Sequence, residues 1–74
     1  MKRYKKMDPI RVGTKRSIVG KHVLGIQDIP PFDLSGGEII EVLDKDIYSR
    51  YFVKLQDKKF WIWAKVLDQI SKEI

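Results

Sequence analysis

The chain has 74 residues, no cysteine, 43% hydrophobic residues, and 15 Lys+Arg against 10 Asp+Glu. That length allows one small domain and excludes barrel enzymes of roughly 250 residues. The lack of cysteine excludes a disulfide framework, Cys-based zinc sites and thiol chemistry, so aromatic residues, 11% of the chain, must supply much of the core.

The charge is unevenly placed. Through His22, eight basic residues stand against Asp8 alone, whereas from Val23 onward seven basic residues meet nine acidic ones. A basic stretch with Lys2, Arg3, Lys5, Lys6, Arg11, Lys15 and Arg16 points to a polyanion, because clustered cations release the counterions condensed on phosphates. A solvated tail that aids solubility has the same composition. No apolar run approaches the roughly 20 residues of a membrane span. Asp8, Pro9, Arg11 and Lys15 break any apolar stretch after the basic start. Neither a membrane partner nor a secretory signal is expected, and the expected compartment is the cytoplasm.

Residues 1–9 show no period of 2 or 3.6 and are expected to form a basic arm ahead of a single domain over 10–74. Ile10–Val12 and Ser17–Val19 are short β-branched pieces, either weak strands or an extended lead-in. In Lys21–Ile26, Gly25 marks a bend or a close backbone approach. Ile29-Pro30-Pro31-Phe32 excludes helix interior and central strand, since two prolines remove two donors and fix φ. With the residues up to Gly36-Gly37 it reads as a long loop closed by a turn. That Gly-Gly pair is no phosphate-binding loop, which needs a longer glycine pattern and a following helix.

Glu38–Leu43 is β-branched and bounded by turn residues, the signature of a strand. Asp44-Lys45-Asp46 opens a polar turn. Arg50–Leu55 is a second strand, with Tyr51, Val53 and Leu55 on one face and Phe52 and Lys54 on the other. Gln56–Lys59 reads as a hairpin turn without the usual glycine. Phe60-Ile62 and Trp61-Trp63 then form the two faces of a third strand, apolar on both. Ala64, Leu67 and Ile70 recur every three residues and fit one tight 3₁₀ turn before a last extended segment, with Ser71–Ile74 fraying. Turn signals every 8–12 residues give an all-β domain, a small barrel of about five strands.

Three segments carry a family resemblance. Leu34–Leu43 resembles the segment after the long first loop of SH3 domains, Tyr51–Leu55 their central strand, and Trp61–Ile70 their closing strand, 3₁₀ turn and last strand. About half the chain is covered, by patterns that speak for fold more than function. The resemblance implies an SH3-like barrel. It also places Gly25 and Gln27 where the family's first groove aromatics stand, Arg50 near the groove tryptophan, Trp63 at the groove proline and Val66 at the last groove tyrosine. The polyproline-binding set is therefore not expected here.

Trp61 and Trp63, two apart on one strand, point the same way. Two parallel indoles suit base stacking or the apolar centre of a protein interface, with Tyr51 and Phe52 completing a candidate aromatic patch. One such face is equally what a small core needs. Tyr4, Tyr48, Tyr51 and Phe52 sit near the basic residues Lys5, Arg50 and Lys54, an interleaving that suits single-stranded nucleic acid and also arises from lysine stems lying over apolar surface. A lone His22 assembles no catalytic triad, and Asp44 with Asp46 is a usual turn pair rather than a metal site. The expectation is a non-catalytic binding module without cofactor or metal. Nucleic acid is its first partner and another protein, gripped through the aromatic patch, the alternative.

Overall fold

The computed structural model describes residues 10–74. The arm over 1–9, with Lys2, Arg3, Lys5 and Lys6, lies outside the described residues. Seven strands and one helix follow in the order β1 (Lys15–Ile18), β2 (His22–Ile26), β3 (Ile29–Leu34), β4 (Ile39–Lys45), β5 (Arg50–Leu55), β6 (Lys58–Trp63), α1 (Ala64–Ile70) and β7 (Ser71–Glu73). The chain is mostly β, as its pattern predicts. Five strands form one sheet in the order β6-β5-β4-β1-β7, and β2 pairs with β3 in a second sheet. Every pairing is antiparallel.

Alternation decides which side chains enter the core. Along β5, Tyr51, Val53 and Leu55 are buried, while on β6 Phe60 and Ile62 are buried and their neighbours Trp61 and Trp63 are not. Ile18, Leu34, Ile40, Val42 and Leu67 complete the densest part of the interior. Each such aliphatic side chain contributes about 1.5–3 kcal/mol when fully removed from water. Phe32 of the second sheet meets Phe60 edge-on, ring centroids 5.9 Å apart at 69°, and so fastens the β2–β3 hairpin over the first sheet.

Four local expectations are corrected. The stretch from Ile29 is a strand and not a loop. Its ladder with β2 pairs Leu24 with Phe32 and Ile26 with Ile29, so Pro30 and Pro31 lie opposite Gly25 at a register shift. A bulge is where a strand tolerates residues without N–H groups. Gly25 marks that bend and not a close approach, because a Cβ there would meet nothing within 4 Å.

The second correction concerns two turns, since Asp44 and Lys45 continue β4 and Lys58 and Lys59 open β6; β1, one of the two readings left open for its stretch, is a strand inside the sheet between β4 and β7. The third is the C-terminal end, which pairs instead of fraying: Ile18 aligns with Ser71 and Arg16 with Glu73. Finally, the tight 3₁₀ turn is a seven-residue α-helix, with Leu67 and Ile70 as its buried face. A helix this short is marginal alone, and its stabilisation comes from that face packing on the core. In the β5–β6 turn, Gln56 takes φ +59° in place of the usual glycine.

Candidate binding face

A two-residue turn at Gln56-Asp57 fixes the register of the β5–β6 hairpin. Arg50 stands opposite Trp63, Phe52 opposite Trp61, and Lys54 opposite Lys59. These six side chains alternate with the buried set and belong to the outer face of the sheet. Trp61 is 37% exposed and Trp63 55%. Phe52 packs against Trp61 with ring centroids 5.1 Å apart, tilted by 41°.

Arg50 organises the aromatic end. Its Cζ lies 5.5 Å from the centre of the Trp61 ring, 5.8 Å from Trp63 and 5.8 Å from the exposed Tyr48. Asp46 holds the guanidinium from below through Nε at 2.6 Å, while its other carboxylate oxygen accepts the backbone N–H groups of Tyr48 and Arg50, both at 2.9 Å. Partial desolvation pushes the Asp46 carboxyl up. The two backbone N–H donors, the Arg50 side-chain bond and its positive charge outweigh this and hold it below the ordinary value. Asp46 thus holds the arginine over the rings.

The cationic end continues across the sheet. Lys15 pairs with Glu41, Glu41 with Lys54, and Lys54 with Lys59, so four strands place these side chains in one row. Among the described residues no carboxylate lies within 4.0 Å of Lys15, Lys54 or Lys59. A groove of about 540 Å³ is lined by Leu24, Ile26 and Ile29, by Val66, and by Arg50, Phe52, Lys59, Trp61 and Trp63 of this same face.

The residues singled out in sequence divide. Lys15 joins the outer face. Arg11 is exposed and pairs with Glu73 at 3.6 Å. Arg16 is corrected: it is 7% exposed, its Nε donates to Ser71 Oγ at 2.8 Å and its terminal nitrogen to the Ser71 carbonyl at 3.0 Å. Asp68 lies 3.6 Å from the same nitrogen. Arg16 therefore holds the chain end and has no guanidinium to offer a phosphate. Tyr51, expected in the aromatic patch, is 5% exposed and turned into the core, because it shares the phase of Val53 and Leu55. Phe52, Trp61 and Trp63 do come together.

Lys59, Glu41 and the central position of Arg50 escaped the sequence reading. A signal was present. Once the turn is centred on Gln56-Asp57, every cross-strand pair follows from counting outward. His22 is half-buried, with Nε2 2.6 Å from the Val19 carbonyl. Among the described residues no group of three or more His, Cys, Asp or Glu side chains converges on a metal-sized site. No helix of the described residues is long and apolar enough to cross a membrane. No family model, curated protein or solved structure matches the chain.

Proposed function

We propose that this chain is a small non-catalytic module that binds nucleic acid. The observation that carries the reading is the outer face of β5–β6, where an arginine–tryptophan pair, an aromatic pair and a lysine pair share one surface. Aromatic rings beside cations supply the two interactions a polynucleotide offers, stacking on bases and attraction to phosphates. The basic arm, with Lys2, Arg3, Lys5 and Lys6, adds sequence-independent attraction, and Arg11 and Lys15 extend it onto the domain.

An SH3-like barrel belongs to the same proposal. Its support is the strand order β7-β1-β4-β5-β6, the separate β2–β3 hairpin packed on that sheet and the helix just before the last strand. A cytoplasmic location agrees with a chain that has no cysteine.

The test is fluorescence anisotropy with labelled DNA and RNA oligomers at about 50 mM salt. Binding that weakens steeply with added salt, and that drops when residues 1–7 are deleted, is the expected result. No binding at low salt, or binding indifferent to that deletion, overturns the reading. A second reading, a protein partner, rests on the groove lined by β6 and the β2–β3 hairpin, whose aromatic and aliphatic side chains stand beside Arg50, Lys59 and Asp28. It predicts that Trp63→Asp, at an exposed residue lining that groove, abolishes complex formation with a protein ligand while oligonucleotides fail to bind the unmodified chain.

A further inference from the structure

Resting on the nucleic-acid reading, we infer that the ligand is single-stranded and crosses the sheet, its backbone over the lysine row and its bases on the aromatic rows. Three observations carry this.

The first is electrostatic. Lysines placed directly opposite each other repel, which costs a sheet stability. Lys54 and Lys59 are such a pair, and no carboxylate of the described residues lies within 4.0 Å of either. An anion laid across both relieves the repulsion. Lys15 extends the row on the far side of Glu41. The row runs perpendicular to the strands, with neighbouring side chains about 4.8 Å apart. Glu41 interrupts it, so phosphates seat on Lys54–Lys59 and on Lys15, with the carboxylate between opposing the strand.

The second is spacing. The Phe52–Trp61 row lies two residues along from the lysine row, and the Arg50–Trp63 row two further. Each step is about 6.8 Å along a strand, a distance that a sugar spans between its phosphate and its base. Backbone on the lysine row therefore delivers bases to the Phe52–Trp61 row, and Trp63, a further step along, takes a base from the strand as it continues past Arg50.

The third is access. Stacking on Trp61 and Trp63 uses the flat face of a base, which a duplex hides between neighbouring pairs. Direct readers of the duplex major groove instead insert a helix or a two-stranded ribbon and commonly pair arginine bidentately with guanine. Here the aromatic residues stand on a sheet face, and Arg50 is committed to Asp46 and three rings. The surface fits an open strand.

The experiment uses the full chain and a mixed-sequence oligonucleotide of about 16 nucleotides, alone and annealed to its complement, as DNA and as RNA. Anisotropy gives affinity and tryptophan emission reports stacking. The expected result is quenching by the single strand and at least tenfold weaker binding of the duplex. Trp61→Ala and Trp63→Ala should each weaken the single strand by about tenfold. Replacing Lys54 and Lys59 together by alanine should lower the slope of log affinity against log salt by about 1.4. Glu41→Gln should tighten binding severalfold, a gain that no misfolded variant imitates.

Equal binding of duplex and single strand, with tryptophan emission unchanged, overturns this inference and leaves the nucleic-acid reading standing. Retained affinity in the two tryptophan variants, or no gain from Glu41→Gln, does the same. Failure of both oligonucleotide forms to bind overturns the two together.

Discussion

Two arginines, Arg16 on β1 and Arg50 on β5, show how one chemical group serves opposite ends. The Arg16 side chain is 8% exposed and that of Arg50 39%. Arg16 shares the inward phase of Ile18, and the groups awaiting it there are the hydroxyl and carbonyl of Ser71. Ser71 Oγ in turn donates to the Leu67 carbonyl, so one guanidinium ties β1, the end of α1 and the start of β7 together. A buried guanidinium is tolerated only with such partners. No buried side-chain polar atom among the described residues lacks a partner.

Arg50 has the outward phase and meets rings and one carboxylate instead. It orients a surface and joins nothing distant in the chain. Burial turns the first arginine into a brace, and partial exposure leaves the second as part of a platform.

The largest effect expected from breaking this contrast is at the brace. Arg16→Ala should lower the unfolding free energy by about 2–4 kcal/mol, since charged hydrogen bonds and stem packing are lost together. Urea denaturation measures it, and oligonucleotide affinity per folded molecule should stay unchanged. An Arg16→Ala protein of full stability and lost affinity would reverse the roles assigned to the two residues.

Arg50→Ala should cost only about 1 kcal/mol, the scale of cation–π contacts and ion pairs near a surface. Its main sign should be greater acrylamide quenching of tryptophan emission, because the rings lose the group that orders them. Quenching identical to the parent would show that the indoles are held by packing alone.

The smallest effect concerns acid. The Asp46 carboxyl has a folded-state value below its unfolded one, so its contribution is complete above the ordinary aspartate range and disappears as pH falls through the lowered value. Tryptophan emission should therefore shift at acid pH as Arg50 is released. Asp46→Asn should remove that limb of the titration and give, already at neutral pH, an emission close to the acid form of the parent. A titration unchanged by Asp46→Asn would place the acid-sensitive group elsewhere.

Much of the candidate face was legible before folding. Trp61 and Trp63 share a side because strand residues two apart must, and Phe52 and Lys54 follow the same rule on β5. The same rule put Tyr51 in the core phase with Val53 and Leu55, so its place in the patch conflicted with the alternation already read there. Arg16 was harder. Among seven basic residues near the start of the chain, nothing local distinguishes the one that meets Ser71, 55 residues away.

The strands β4, β5 and β6 are properties of the sequence alone, while the turn that joins the last two is two residues long and not the four, Gln56–Lys59, that the pattern suggests. Their alternation and bounding turn residues are local, and the pleat converts them directly into faces. Tertiary contacts decided the rest: that polar β1 runs inside the sheet, that two prolines enter a strand opposite Gly25, that seven residues after Trp63 wind into a helix. Each depends on a partner distant in sequence, and only the folded chain brings that partner within hydrogen-bonding or packing distance.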